Sequence, residues 1–400
     1  MEQVHQTGRH QAVSDATAID RPNVFEIDLD AVTRCVHRVR AVIGDSTYFF
    51  ATLKANAYGY GLMPVARTVI AAGADAISLV SVADAVRLRE SGVKVPIMVY
   101  AGAIPGEALV RAAESYDLIP TLHSDEMLQA FTRFARKRIK VAVKLEVGPE
   151  RIGVPAEDAV RYARAIVACP RLELHVVNAH PNVTATGRAA EALDWQFQRF
   201  NAACSALAAA GIAVPYKVVA SSKVLRMAGA AMLLNAVDPG AALFSPLTPD
   251  DAPDDFQPFF ALKSRLIQVR AVTRTEYLDE AAFKVRPGMR IGIMPIGYSD
   301  GAQRLHCGAA LVRGARAPLL AAPALEYTRL DLTDIPQAAV GDEVVIIGSQ
   351  GSGRIDPAEV VAYQKASRVA DLALEIRPSI QRSYRETATH PAQEGAHAHA

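Results

Sequence analysis

The chain has 400 residues, half of them apolar, which suits one large domain plus a second, smaller one. Its 43 Lys and Arg residues balance its 42 Asp and Glu residues, so no basic face for nucleic acid is predicted. The four cysteines, Cys35, Cys169, Cys204 and Cys307, lack CxxC spacing, which argues against a disulfide framework and a zinc site. We therefore expect a reducing compartment and no metal.

Neither end of the chain looks like part of a packed domain. Residues 1–22 are polar and lack the apolar stretch of a signal peptide, and residues 387–400 carry few bulky apolar side chains. We predict that both segments are disordered. No stretch approaches the ~18 apolar residues of a membrane span, so the sequence indicates a cytoplasmic protein with no membrane contact.

Apolar runs of strand length alternate with helical patterns through about the first 250 residues. The first strand, TYFFATL (47–53), precedes the helical LMPVARTVIAAG (62–73), and further helical patterns follow most of the later strands. Eight such units are the number that closes a (β/α)8 TIM barrel, while an open doubly wound sheet is the alternative. The other predicted strands cover 76–81, 96–102, 117–122, 140–147, 172–180, 216–222 and 234–243.

From about residue 255 the pattern changes to Val- and Ile-rich strands separated by turns. This predicts a C-terminal mostly-β domain, so the fold class is α/β, with the barrel at 23–250 and the β domain at 251–386. The Asp- and Pro-rich segment DAPDDFQPF (251–259) marks the boundary. The glycine-rich GSQGSG (348–353) has no following Lys-Ser/Thr, so we interpret it as a hairpin turn rather than a phosphate loop.

Lys54 directly follows the first predicted strand, within ATLKANAYGYG (51–61). Active sites of these barrels gather at the C-terminal ends of the strands. A buried or half-buried lysine there suits Schiff-base chemistry, because desolvation lowers the pKa of the amine and frees a nucleophile. From position alone, a surface lysine in a loop is the alternative.

The segment LKANAYGYG (53–61) resembles the cofactor-lysine motif of the alanine racemase family, whose members bind pyridoxal 5'-phosphate in a barrel followed by a β domain. The resemblance runs from about residue 24 to about residue 385 and includes PIGYSDG (295–301) and GDEVVIIGSQG (341–351). It implies that Lys54 bonds the cofactor and moves a proton, and that Tyr58 contacts the phosphate. It also implies a racemase or epimerase that removes the α-proton of a small amino acid and returns it on the opposite face.

The same resemblance assigns roles to residues at later strand ends. Arg151 would lie close to the cofactor's phenolic oxygen, supported by Lys144, whose counterpart is carbamylated in some members. His180 would stack on the pyridine ring. Ser221 and the backbone N–H of Gly240 would hold the phosphate, which is also where barrel geometry favours a phosphate.

Asp238 departs from the family pattern, which has an arginine facing the pyridine nitrogen. An arginine cannot accept a proton, whereas a carboxylate keeps the ring nitrogen protonated and strengthens the cofactor as an electron sink. This leaves open a lyase, either decarboxylase or aldolase, and a non-catalytic carrier of the cofactor. An N-cap role for Asp238 is a further alternative. Glu146, Val147, Pro149 and Glu326 also depart from the pattern, so the substrate need not be alanine.

The second proton-transfer group in the family is a tyrosine from the partner subunit's β domain, because racemisation needs proton delivery on opposite faces. Tyr277 in TRTEYLDEAAF is the candidate here, with a structural tyrosine at a strand edge as the alternative. The resemblance therefore implies a homodimer with shared active sites.

The remaining assignments concern the substrate and the phosphate. Arg151, Tyr298 and the backbone N–H of Leu325 are the predicted substrate contacts. Near the C-terminus, in IQRSYRE, either Tyr384 or Arg382 would reach the phosphate.

Overall fold

The computed structural model describes residues 20–100, 102–183, 186–245, 259–273, 285–365 and 369–386. Predictions for other residues lie outside the described ranges; they include Tyr277, most of the boundary segment and most or all of both terminal segments. Within these ranges, no helix is both long enough and apolar enough to cross a bilayer.

The described residues between 20 and 245 alternate strands with helices, as the periodicity predicts. The described strands are β1 (Val24–Asp28), β2 (Tyr48–Thr52), β3 (Ala76–Leu79), β4 (Ile97–Val99), β5 (Leu118–Leu122), β6 (Ile139–Glu146), β7 (Val154–Pro155), β8 (Leu172–Ala179), β9 (Tyr216–Ala220) and β10 (Ala236–Val237). The described α-helices are α1 (Leu29–Ile43), α2 (Leu62–Ala71), α3 (Val82–Glu90), α4 (Glu107–Ser115), α5 (Asp125–Phe134), α6 (Ala159–Val167), α7 (Ala189–Ala209) and α8 (Ser222–Ala228).

Eight of these described strands close a parallel barrel, which confirms the TIM-barrel prediction. Strands β2 to β6 pair in order, β6 pairs with β8, and β8, β9 and β10 lead back to β2. The short β7 pairs only with β6, next to the C-terminal end of that strand. The open doubly wound alternative is wrong, because β10 pairs with β2 and leaves the barrel no free edge.

Side-chain caps begin several of the outer helices, as their sequences suggest. Asp28, Ser81 and Ser124 each accept a hydrogen bond from a backbone N–H in the first turn of the following helix. Strand β10 is shorter than its predicted span, 234–243. Pro239 follows closely and has no N–H to continue a ladder.

The C-terminal part is mostly β, as predicted. Its described strands are β11 (Phe260–Arg265), β12 (Gln268–Ala271), β13 (Arg290–Met294), β14 (Ala309–Val312), β15 (Ala315–Pro318), β16 (Thr328–Asp331), β17 (Glu343–Gln350), β18 (Gly353–Ile355) and β19 (Gln381–Arg385). Helices α9 (Pro357–Gln364) and α10 (Val369–Glu375) precede the last strand. The hairpin prediction for GSQGSG is confirmed, because β17 and β18 pair antiparallel across it.

The first described strand, β1, lies in the sheet of the C-terminal part. Strand β1 pairs antiparallel with β11 and parallel with β19. Nearby, the Arg21 guanidinium binds the fully buried Asp300 carboxylate at 2.8 Å, and Asp300 also accepts hydrogen bonds from Gly297 N and Ser379 Oγ. The aspartate of PIGYSDG therefore ties three distant segments together, and the prediction of disorder for residues 1–22 is wrong for residues 20–22, which the structure describes.

Candidate active site

A cavity of about 1020 Å³ opens at the C-terminal ends of the barrel strands. This is the end of the barrel where such folds place their active sites. Most of the residues predicted for the cofactor line it, although they are separated by up to 186 positions in the chain: Lys54, Tyr58, Arg151, His180, Ser221, Asp238 and Gly240. Lys144 lines it as well.

The barrel interior below this cavity is divided by polarity. One residue from each of the eight strands forms an apolar layer: Phe50, Ala76, Met98, Ile119, Ala142, Val176, Val218 and Ala236. Two positions further along each strand, where the side chain returns to the same face, seven of eight residues are polar. This polar layer comprises Thr52, Ser78, Tyr100, Thr121, Lys144, Asn178 and Asp238, with Ala220 as the eighth member.

A left-handed turn carries Lys54 into the cavity. Residues 55 to 58 all have φ between 52° and 55°, which is unusual for residues other than glycine. Asn56 supports the turn, because its Oδ1 accepts a hydrogen bond of 2.8 Å from Leu62 N. Gly59 follows with φ 89°, and a Cβ there would lie 2.3 Å from Ala373 O. The glycine of the motif therefore permits close contact with helix α10.

Lys54 itself is exposed at the cavity wall, so the prediction of a buried or half-buried lysine is wrong for the single chain. Its Nζ lies 5.8 Å from the centroid of the Tyr58 ring. Periodicity could not reveal this exposure, because the strand ends at Thr52 and the left-handed turn redirects the chain.

The loop after β10 approaches the Tyr58 hydroxyl and is hydrogen-bonded to the start of α8. A Cβ at Gly240 would lie 2.3 Å from Tyr58 Oη, so only glycine allows this approach. Ser221 is buried at the start of α8, and the neighbouring Ser222 Oγ accepts hydrogen bonds from Gly240 N (2.9 Å) and Ala242 N (3.0 Å). Sequence reasoning missed Ser222, although a second hydroxyl after Ser221 was visible in VVASSK.

Asp238 lies at the inner end of the cavity and is 5% exposed. Its Oδ2 accepts a 2.6 Å hydrogen bond from Tyr100 Oη, while Oδ1 has no hydrogen-bond partner among the described residues. Burial raises the pKa of Asp238 to about 6, opposed by the Tyr100 hydrogen bond and the charges of Lys144 and Lys54. The N-cap alternative is wrong, since this carboxylate accepts its bond from a tyrosine rather than from a helix N–H.

Tyr100 is the main residue of this site that sequence reasoning missed. It directly follows β4, at the end of the predicted strand PIMVYAG, so a hydroxyl at a strand end was the available signal. Burial and the charge of Asp238 raise the Tyr100 pKa well above its ordinary value. The hydroxyl therefore stays protonated and acts as a donor.

Several basic side chains also line the cavity and influence one another's pKa. Burial, with the charges of Arg151 and Lys54, lowers the pKa of Lys144 to about 8 against the opposing effect of Asp238. Burial and the charges of Lys144, Arg151 and Lys54 lower the pKa of His180 to about 3. His180 is consequently neutral near pH 7 and can pack against an aromatic ring without placing a charge on it.

Three predicted site residues do not line this cavity. Tyr384 lies in β19 and lines a second cavity of about 740 Å³; its hydroxyl packs against Gly61. Tyr298 and Leu325 are half exposed, 50% and 52%, in the C-terminal part. Arg382, the alternative to Tyr384, donates from Nε to Gly59 O at 3.0 Å and so contacts the turn that follows Lys54 and Tyr58.

Comparisons with known proteins agree over nearly the whole chain. The family model for the alanine racemase N-terminal domain matches residues 27–247, and that for the C-terminal domain matches residues 259–384. An alanine racemase of Halothermothrix orenii is 29% identical over 92% of this chain and 98% of its own length. One of Desulfosudis oleivorans is 32% identical over 84% and 90%. The crystal structure of a Bacillus anthracis alanine racemase with bound L-Ala-P has a TM-score of 0.79 at 25% identity, covering 92% of this chain and 96% of that one.

Proposed function

The chain belongs to the alanine racemase family, and on that premise we propose that it is a pyridoxal 5'-phosphate-dependent racemase or epimerase of a small amino acid. One observation carries the proposal. Lys54, Tyr58, His180, Asp238 and Gly240, assigned from three separate segments of sequence, line a single cavity at the C-terminal ends of the strands. A cytoplasmic location is part of the proposal and rests on composition alone.

The cavity offers groups that fit this cofactor at both ends. At one end, Tyr58 Oη lies so close to Gly240 that a Cβ there would be 2.3 Å from it, and the buried Ser221 lines the same cavity; these hydroxyls suit a phosphate, although in this structure the Gly240 N–H donates to Ser222 Oγ. At the other end, the unpartnered Oδ1 of Asp238 suits an N–H donor such as a protonated pyridine nitrogen. When bound, the cofactor withdraws electrons from the α-carbon of the amino acid and acidifies its α-proton.

The side chains of this chain would then handle the proton and the substrate. Lys54 would bond the cofactor and, once displaced by the substrate amine, take or return the α-proton on its own face. Arg151, exposed at the cavity wall, suits the substrate carboxylate or the phenolic oxygen of the cofactor. His180, neutral at pH 7, would pack on the ring.

The opposite face needs a second acid/base group, which we assign to Tyr277 of a second copy of the chain. The positions of Tyr298 and Leu325 support a shared site. Both lie outside the cavity of their own chain with half their surface exposed, so the substrate contacts that the resemblance assigns to them would have to be made across an interface. We therefore propose a homodimer.

Subunit complementation tests the shared site. In a dimer of Lys54→Ala with Tyr277→Phe, one site has both wild-type groups and the other has neither. If the two variants assort at random, half of the dimers are mixed, so about a quarter of wild-type activity should return. Each variant alone should be nearly inactive. No recovery on mixing would mean that the two groups act within one chain or that Tyr277 has no role.

Incubation of the purified holoenzyme with a panel of amino acids in deuterium oxide tests the reaction. We expect α-deuteration accompanied by loss of optical rotation for at least one small amino acid. Release of CO₂ or of an aldehyde would instead show a lyase, for which Asp238 is the favourable feature. Absence of any turnover across the panel would refute the enzyme assignment.

A further inference from the structure

We propose that Tyr100 is a positioning residue that holds Asp238 ionised and directs its second oxygen to the pyridine nitrogen of the cofactor. The proposal rests on the proposed function, because it requires pyridoxal phosphate in the cavity described above. It goes beyond that function by assigning control of the ring-nitrogen proton to a pair of side chains, Tyr100 and Asp238, rather than to a single residue.

Hydrogen bonds fix Asp238 at three of its polar atoms. Its backbone N–H donates to Ala220 O at 3.1 Å, its backbone carbonyl accepts from Thr52 Oγ1 at 2.9 Å, and its Oδ2 accepts from Tyr100 Oη at 2.6 Å. The other carboxylate oxygen of Asp238, Oδ1, has no hydrogen-bond partner among the described residues. A buried carboxylate oxygen without a donor is costly, so the arrangement favours a ligand that supplies an N–H.

Tyr100 reaches Asp238 across the barrel interior rather than along a neighbouring strand. Strands β4 and β10 are separated by β3 and β2, so side chains that follow them meet only through the middle of the polar layer. The hydroxyls of Ser78 and Thr52, 2.7 Å apart, lie on the two intervening strands and lower the Tyr100 pKa against the effect of burial. The phenol therefore lies beside polar side chains of the strands that separate it from Asp238.

The hydrogen bond from Tyr100 to Asp238 influences whether a proton resides on the Asp238 carboxylate or on the pyridine nitrogen. Two arrangements are possible between Asp238 and a pyridine: a carboxylate with a protonated ring, or a carboxylic acid with a neutral ring. Donation by Tyr100 stabilises the carboxylate, and so do the charges of Lys144 and Lys54, whereas burial opposes it. Tyr100 is the only one of these stabilising groups that hydrogen-bonds the carboxylate within the described chain, so its loss should shift the shared proton toward Asp238.

The test follows the ring nitrogen directly. Holoenzyme is reconstituted with pyridoxal phosphate labelled with ¹⁵N in the ring, and the ¹⁵N chemical shift is followed against pH without substrate. Asp238→Asn should leave the ring nitrogen unprotonated. Tyr100→Phe should lower the pH midpoint of ring protonation by about one to two units, the amount expected for one hydrogen bond to a charged group. Tyr162→Phe removes a phenol that bonds Ser124 O outside the cavity, and it should leave the midpoint unchanged.

The outcomes separate this proposal from the one on which it rests. If Asp238→Asn and Tyr100→Phe both leave the ¹⁵N signal unchanged, Asp238 does not face the ring, and that part of the proposed function fails. If only Asp238→Asn changes it, the positioning role of Tyr100 is overturned. Should Tyr100→Phe fail to fold, 3-fluorotyrosine at position 100 keeps the shape with a more acidic hydroxyl. It should raise the midpoint, and an unchanged midpoint would overturn the proposal.

Discussion

Replacing Ala55 with glycine should stabilise the protein, although alanine-to-glycine changes usually do the opposite. Ala55 has φ 52° and ψ 53°, and its side chain is exposed. An L-residue in this left-handed region costs about 1–2 kcal/mol, a cost that glycine does not have. Glycine adds about 0.4–1 kcal/mol of unfolded-state entropy that folding must overcome. No apolar burial is lost at an exposed methyl, so the free energy of unfolding should rise by about 0.5–1 kcal/mol.

Urea unfolding of the apoprotein at one fixed protein concentration measures this change without contributions from cofactor binding or altered association. The matched control is Ala206→Gly, the same chemical change at an exposed position inside the right-handed helix α7. There the free energy of unfolding should fall by about 1 kcal/mol. If Ala55→Gly destabilises the protein as much as Ala206→Gly does, the left-handed turn stores no strain and the reasoning is refuted.

Three further changes test the cavity. Lys54→Ala should abolish the visible absorbance of covalently bound cofactor, and Lys94→Ala, outside the cavity, should keep it; a retained band in Lys54→Ala would exclude this anchor. Gly240→Ala places a Cβ 2.3 Å from Tyr58 Oη, so the affinity for the cofactor, measured by equilibrium dialysis, should fall by about tenfold or more. The control is Gly106→Ala, where a Cβ would meet no atom within 4 Å and the affinity should stay the same. Because the pKa of His180 is depressed to about 3, its neutral form contributes stability above its ordinary pKa of 6.5 that is lost as the pH falls toward 3. In His180→Gln, the free energy of unfolding of the apoprotein should therefore fall less steeply between pH 6.5 and pH 3 than in the wild type. The exposed His37→Gln should keep the wild-type slope. Equal slopes in the two variants would contradict the lowered pKa of His180.

The barrel was predictable because its signals are local and repeated. Each strand is a short apolar run, and the helices between strands carry their own N-caps, such as Ser81 and Ser124. The pairing of β1 with β11 and β19 was not predictable. Residues 24–28 alternate in burial as any strand with one buried face does, and nothing in that pattern identifies a partner more than 230 residues away.

In the site, the family resemblance identified the residues that match a motif. It did not identify residues that hydrogen-bond to them. Lys54, Tyr58 and His180 were found in this way, and all line the cavity. Tyr100 and Ser222 were missed because each acts through a hydrogen bond to a residue distant in sequence. At position 384 the resemblance selected a residue that lies elsewhere: Tyr384 lines a different cavity from Lys54 and Tyr58.

The two layers of the barrel interior suggest why Asp238, which replaces the arginine of the family pattern, occurs together with Tyr100. The apolar layer fixes the packing of all eight strands, so a change there acts first on stability. Of the residues two positions later, Thr52, Tyr100, Lys144 and Asp238 line the ligand cavity, and a buried charge left without a partner there costs free energy. A carboxylate introduced at position 238 therefore needs a donor from the same layer, and Tyr100 supplies it from across the barrel at 2.6 Å. We therefore expect a substitution that buries a charge in this polar layer to be accompanied by a second one that supplies a hydrogen-bond partner.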